Sequence, residues 1–306
     1  MDLSEKKVVL ITGGTGTIGS ALVPLLVEKG FGVRLFALQG DRAAESFDGD
    51  SVEVCYGDIA NQESVKDICR GVSTVIHLAA VVLSDDESLF DSVNVMGTRY
   101  LLEDAQKHNV HHFIHISSAS VVYRRLTPYS RSKRIAEKYV KNSGVPWTII
   151  RPTLVYGEVG GMEFDLFLQY LLKWPVVPFI GNGGALKRPV YIDDLVYGLK
   201  KTALLEKGTG RIYNFSGGSD ISMIDFARLC LTLSGREDKI IIHIPVILCR
   251  LLALVMKRIM KNPLLKWNMI AGVIQDANLD PNKAILDLEY NPYPVEQKLK
   301  DCFPRK

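Results

Sequence analysis

The chain has 306 residues, 47% of them hydrophobic and 23% charged, with a formal net charge of +3. That length and balance suit one large soluble globular unit or two intimate ones, and so small a charge without a dense Lys/Arg run argues against nucleic acid as a partner. Five scattered cysteines, Cys55, Cys69, Cys230, Cys249 and Cys302, include no C-x-x-C pair. They predict reduced thiols in a cytoplasmic protein rather than a disulfide framework or a zinc site.

The opening MDLSEKKVVLITGG makes no secretory signal, because its apolar run stops at glycines. Short β-branched runs then predict strands at Val8–Thr12, Val33–Ala37, Val52–Tyr56, Thr74–Leu78, Phe113–Ser117 and Thr148–Arg151. Helical periodicity fills the gaps at Ile18–Lys29, Gln62–Cys69, Phe90–His108 and Tyr129–Asn142. This alternation implies an α/β fold, a Rossmann-type doubly wound parallel sheet covered on both faces. At the first strand–helix junction stands LITGGTGTIGS, Leu10–Ser20. There Gly13, Gly16 and Gly19 permit a tight turn, close approach of backbone to a pyrophosphate, and close helix–strand packing. The helix that follows offers its free N–H groups to the phosphates, so a dinucleotide is expected here.

Farther along, YSRSK places Tyr129 and Lys133 four residues apart on one side of a helix. Lys133 can hold the cofactor ribose while its charge favours the tyrosinate, giving a group that moves a proton near neutral pH. The histidines His108, His111, His112 and His115 run from loop into strand, a poor arrangement for a metal, and none is expected. No G-x-S-x-G elbow surrounds the serines of HISSASVVY.

After Pro152, glycine and proline punctuate the sequence more often. Residues 1–152 are read as the dinucleotide-binding domain, with a return segment at about 189–214 that includes a strand at Pro189–Tyr191 and a helix at Asp193–Leu205. Residues 153–188 and 215–306 form a smaller, interleaved substrate region. The apolar run Lys239–Lys261 is broken by His243, Pro245 and Arg250, too soon for a spanning helix. Core packing is expected for it. The alternative is a helix lying on a membrane with Lys257, Arg258 and Lys261 near lipid phosphates.

The spacing T-G-x-x-G-x-x-G from Thr12 to Gly19 resembles the short-chain dehydrogenase/reductase superfamily. Its extended branch, the NAD(P)-dependent epimerase/dehydratase-like proteins, is matched by YGDIAN (Tyr56–Asn61), HLAA (His77–Ala80), VNVMGT (Val93–Thr98), RPTLVYG (Arg151–Gly157) and RPVYIDDL (Arg188–Leu195). The resemblance implies a cofactor, NAD or NADP, held by Gly13, Gly16, Thr17, Ile18, Gly19, Asp58, Ile59, Leu78, Ala79, Ala80, Lys133 and Pro152. Asp58 and Ile59 would meet the adenine, and Asn94 would be structural. It implies Ser118 as the active-site serine beside Tyr129 and Lys133, with Ser117 at the strand end and Ser120 in the turn. Lys187 and Arg188 fall where relatives place a base near a substrate diphosphate, Arg188 being favoured by its bidentate geometry.

Three departures matter. Ser118 and Tyr129 are only 11 positions apart, which shortens a loop beside the substrate. Ala119 and Ser120 stand where sugar-nucleotide 4,6-dehydratases carry Asp-Glu, which disfavours dehydration. Ala37, 18 residues after Gly19, replaces the acid that grips the adenosine 2′-hydroxyl, so Arg34 or Arg42 could accept a 2′-phosphate. The leading expectation is an NAD(P)-dependent epimerase or oxidoreductase acting on a nucleoside-diphosphate-sugar. Beside it stand a ketone/alcohol reductase of hydroxysteroid- or flavonol-reductase type on an apolar substrate, and a non-catalytic nucleotide-binding subunit. The partner is a small-molecule substrate, and a homodimer stays open.

Overall fold

β-Branched runs carry the backbone into seven strands: Val8–Thr12 (β1), Gly32–Ala37 (β2), Val52–Tyr56 (β3), Val72–His77 (β4), His112–Ile116 (β5), Trp147–Pro152 (β6) and Arg211–Phe215 (β7). They form one sheet in the order β7-β6-β5-β4-β1-β2-β3, with every neighbouring pair parallel. The structure is a computed structural model and describes residues 7–47, 49–158, 161–205, 207–260 and 267–303. Met1 to Lys6, read above as no signal, lie outside the described residues, as do Lys261 and the Lys257 side chain.

Successive side chains of a strand point to opposite faces, and here both faces are buried. Val9 and Ile11 enter one core with Leu22, Leu26 and Leu199, while Leu10 enters the other with Leu101, Phe113 and Ile149. The doubly wound sheet expected from the alternation is therefore present.

Several elements differ from the periodicity. The helix expected over Gln62–Cys69 stops at Val65, because the Asp104 carboxylate captures the N–H groups of Asp67 and Cys69 at 2.8 and 2.9 Å. Asp67 turns into the left-handed region there (φ 63°). Phe90–His108 begins as a π-helix over Phe90–Gly97 and becomes α over Thr98–Lys107. The widened turn contains Asn94, whose side chain serves neighbouring elements, the kind of functional position where π-turns concentrate. Strand β7 was not read in the sequence, nor was the return of Ala284, Leu288 and Tyr290 to the first core, where Tyr290 stacks on Phe215 at 4.7 Å.

A separate apolar cluster gathers Tyr156, Phe164, Leu171, Phe179, Tyr191 and Phe226 above the carboxyl ends of the strands. Three two-stranded ribbons frame it: Val155–Tyr156 with Val190–Tyr191, Leu186–Lys187 with Ile221–Ser222, and Val176–Ile180 with Ile240–Ile244. The apolar run after Lys239 does not pack as expected. Helix Val246–Ile259 buries Cys249 and Ala253 against Ile270, while Ile247, Leu251, Leu254, Val255 and Ile259 face solvent. The run is apolar on every side, and the protein supplies an apolar partner for one side only.

Candidate active site

The glycine stretch turns at the carboxyl end of β1. Gly13 takes φ +71°, which favours glycine, and a Cβ there would stand 2.7 Å from the Ala79 nitrogen. A Cβ on Gly19 would lie 2.6 Å from the Gly13 carbonyl oxygen, so helix and loop pack backbone to backbone. Gly16 is different. Its Cβ would meet only the Gly13 oxygen, at 3.4 Å, and otherwise open space of the kind a phosphate needs. Gly16 is also the N-cap of helix Thr17–Glu28, which has no side-chain cap and no acid in its first turn. The N–H groups of that turn, where Thr17 and Ile18 sit, are left for an anion.

Strand order reverses direction between β1 and β4, the switch point at which open α/β sheets bind ligands. Thr12 Oγ1 bonds His77 Nδ1 at 2.7 Å and accepts the Ala79 N–H at 3.3 Å, and His77 Nε2 reaches Thr98 Oγ1 at 2.9 Å. These bonds fix the half-buried Leu78, Ala79 and Ala80 opposite the glycine loop. Asn94 accepts the Val81 N–H at 2.8 Å, donates to the Val81 carbonyl at 2.9 Å, and donates to Ser132 Oγ at 3.0 Å. The segment opposite the glycine loop is thereby fastened to the helix that carries Tyr129 and Lys133.

That helix, Pro128–Asn142, starts in a capping box. Thr127 Oγ1 accepts the Ser130 N–H at 3.1 Å, and Ser130 Oγ accepts the Thr127 N–H at 2.7 Å. The cap fixes the first turn and so the ring of Tyr129. One turn on, Lys133 is 2% exposed, and burial lowers its pKa to about 8 against the opposing pull of Glu137. Ser118 caps the short turn Ala119–Val122 and bonds Ser120 Oγ at 2.9 Å, and it pulls the Tyr129 phenol pKa down. Ser117 instead donates to Glu137 at 2.7 Å, and Glu137 is gripped by Arg151 at 2.8 and 2.7 Å. Tyr129 thus lies beside Ser118, with Lys133 one helical turn farther along.

The tuning differs. Burial and then the Glu163 carboxylate raise the Tyr129 phenol above its ordinary value, and the downward pull comes from Ser118, not from Lys133. Glu163, in the first turn of helix Met162–Lys173, was not singled out in the sequence. Its side chain is open to solvent yet crowded by protein, and this crowding raises its carboxyl pKa while Lys187 opposes.

Lys187 and Arg188 are engaged within the protein. Lys187 is buried, donates to the carbonyls of Gly272, at 2.8 Å, and of Gln275, and lies 5.6 Å from the Tyr123 ring centre. Arg188 Nε stands 2.9 Å from the Asp220 carboxylate, an ion pair outside hydrogen-bond geometry. Asp58 is exposed and accepts the Ala60 N–H at 2.9 Å. The Ile59 side chain is 6% exposed and belongs to the core, so only its backbone is placed for an adenine. Pro152 is buried at the end of β6, beside Phe215.

Within the glycine loop, Thr15 Oγ1 donates to Asp41 at 2.7 Å. Asp41 also caps the short helix Arg42–Glu45, and so ties that helix to the glycine loop. Arg34 is unavailable to a 2′-phosphate: it bonds Glu53 and the carbonyls of Ile68 and Arg70, each at 2.8 Å. The histidines disperse. His108 bonds Asp67 at 3.0 Å, His112 bonds Thr148 at 2.8 Å, and His115 lies against His77 at 5.5 Å. Among the described residues Asp67, Asp104 and His108 come close enough to share an ion, but Lys107 and backbone N–H groups already occupy those carboxylates. Two depressions, one lined by Ala105, Asn109, His111 and Pro146 and the other by Lys7, Lys29 and Ser73, open at the amino ends of the strands, away from this chemistry.

Residues 9–215 match the model of the NAD dependent epimerase/dehydratase family. The chain belongs to that family. The resemblance drawn from the glycine loop and its companion motifs is borne out, and NAD is the family's cofactor. Within this NAD-dependent family the chain is 30% identical to a 3 beta-hydroxysteroid dehydrogenase/Delta 5→4-isomerase of Mycobacterium tuberculosis, covering 97% of this chain and 89% of that protein. It is 27% identical to the sterol-4-alpha-carboxylate 3-dehydrogenase, decarboxylating, of Mus musculus, over 64% of this chain and 59% of the other. Its fold matches the dTDP-glucose 4,6-dehydratase of Streptomyces venezuelae, solved with NAD, at a TM-score of 0.76, with 23% identity over 96% of this chain and 95% of that one.

Proposed function

We propose that this family member is an NAD-dependent dehydrogenase that oxidises a secondary alcohol on an apolar, sterol-like substrate. The observation that carries the reading is the engagement of Lys187 and Arg188: the ammonium is spent on two carbonyls and the guanidinium faces Asp220. The positions at which a nucleotide-sugar reading needs a diphosphate grip are already neutralised. The hydroxysteroid and sterol relatives support the same substrate class. The nucleoside-diphosphate-sugar epimerase stays as the second reading. A 4,6-dehydratase is disfavoured, since Ala119 and Ser120 bring no carboxylate and Ser120 is occupied with Ser118.

The site fits NAD: the space beside Gly16 is open and the helix behind it is uncapped. Gly13, Gly16, Gly19 and the first turn at Thr17 and Ile18 would hold the pyrophosphate, and Lys133 the ribose. NAD, when bound, supplies the hydride acceptor. Ser118 Oγ orients the substrate hydroxyl, and Tyr129 Oη takes its proton as the carbinol hydrogen leaves. Lys133, one turn away, holds a positive charge that favours the phenolate once cofactor closes the site.

The test supplies purified protein and NAD with a 3β-hydroxysteroid or with UDP-glucose and follows the absorbance of reduced nicotinamide. Steroid-dependent reduction is expected, falling by ~10²-fold or more in Tyr129→Phe. Turnover of the sugar nucleotide alone, with inversion at a sugar carbon, gives the epimerase reading instead. No hydride transfer from either, with NAD still bound, gives the non-catalytic one.

A further inference from the structure

We propose that helix Val246–Ile259 docks the protein on an anionic bilayer surface. Its outward face is aliphatic and bare: Ile247 is 71% exposed, Leu254 65% and Ile259 77%, and Leu248, Leu251 and Val255 are exposed beside them. The strand that leads into the helix adds exposed Ile240 and Ile242. A contiguous apolar face of this kind on a folded protein marks an interaction site. Among the described residues no helix is long and apolar enough to cross a membrane, so the mode is one of lying in the interface.

Charge selects the occupant. The sequence contains no Asp or Glu between Asp238 and Asp276, although the whole chain holds 34 acids. Through the helix itself the charged residues are Arg250, Lys257 and Arg258, all basic, and the Arg258 side chain is exposed. Two copies of this face brought together would oppose like charges. A bilayer offers hydrocarbon to the aliphatic side chains and phosphate to the bases, the combination that interfacial helices use.

The helix is also linked to the reaction pocket. Its buried Cys249 and Ala253 pack on Ile270 of helix Trp267–Ile274. From the end of that helix, Gly272 and Gln275 hold Lys187, and the Gln275 side chain bonds the backbone of Arg125, at 2.9 and 3.1 Å. The docking proposal stands on exposure and charge and is independent of the substrate reading.

Co-sedimentation with vesicles tests it, using phosphatidylcholine alone and phosphatidylcholine with phosphatidylglycerol, with NAD binding as the check that each protein is folded. The full chain is expected to sediment at least tenfold more with anionic than with neutral vesicles, and less as salt rises. Ile247→Glu with Leu254→Glu should abolish binding, and Arg258→Glu should weaken it on anionic vesicles only. Equal sedimentation of the wild type and the double variant overturns the proposal. So does a lipid-free dimer that the double variant converts to monomer, because a second copy would then cover the face.

Discussion

In the proposed reaction, proton transfer at Tyr129 depends on the charges that face it. Burial and then Glu163 hold the phenol above its ordinary pKa, and alcohol oxidation needs the phenolate. Glu163→Gln removes that negative charge, so the phenol loses its proton more readily and the rise of kcat/KM with pH should move to lower pH. Rate profiles of the two proteins with the same alcohol check this, and superimposed profiles would contradict it. Asp41 is expected to act on cofactor choice. Its carboxylate, bonded to Thr15 at 2.7 Å, stands beside the glycine loop and restores the negative charge missing at Ala37, which would repel a 2′-phosphate. Asp41→Ala should lower the preference for NAD over NADP roughly tenfold or more, a change of about 1.4 kcal/mol, read from the two kcat/KM values. Tyr129 and Lys133 were legible because their relation is local, one helical turn. Glu163 and Asp41 were not, because each acquires its role from a partner on another element.

At the scale of elements, Asp104 decides where a helix ends. The side chain is buried and satisfies two backbone N–H groups across the gap between helix Thr98–Lys107 and the turn at Asp67. Asp104→Ala would strand both donors, at about 1–3 kcal/mol for each one left buried. A fall of that size in unfolding free energy, with NAD affinity retained, is expected from urea titration. A loss below 0.5 kcal/mol, on the order of an ordinary surface change, would show that water replaces the carboxylate. This bond also explains why periodicity overran Val65: the apolar spacing continues to Cys69, and only a residue far along the chain interrupts it. The central strands β1 and β4 were legible because burial on both faces leaves an almost unbroken apolar run, and the edge strand β3 because Val52 and Val54 keep a β-branched alternation. Strand β7, RIYNF, carries arginine and asparagine in an edge position and lacks that signal.

For the whole molecule, three buried histidines couple stability to pH. Burial first, with Lys133 adding, lowers the His77 pKa to about 3 and His115 well below its usual value, while burial lowers His112 to about 4. Unfolding releases these rings to an ordinary pKa near 6.5, so the unfolded chain binds more protons between that value and the folded ones. Stability must therefore fall as pH drops below about 6.5, by about 1.4 kcal/mol per pH unit for each ring. Urea midpoints measured from pH 7 to 5 should decline steadily, and a flat series would mean the rings are already protonated in the fold. The exposed helix Val246–Ile259 shows the limit of sequence reading at this scale. An apolar run reports what a segment avoids, and whether protein or something else covers it depends on how many partners the rest of the chain supplies.

Pairing of β6 with β7 has a consequence for synthesis. The outer edge of Trp147–Pro152 receives its neighbour only when Arg211–Phe215 arrives, and the core below waits for Ala284, Leu288 and Tyr290. A chain leaving the ribosome amino end first can form the glycine loop and its central strands while that edge stands bare. Unpaired N–H and C=O groups there invite any passing strand, and distant parallel pairing closes slowly. The half-made protein thus passes through a stage at which the cofactor cradle exists and the sheet beside it is still adhesive, so early occupation of the cradle would favour productive folding over aggregation.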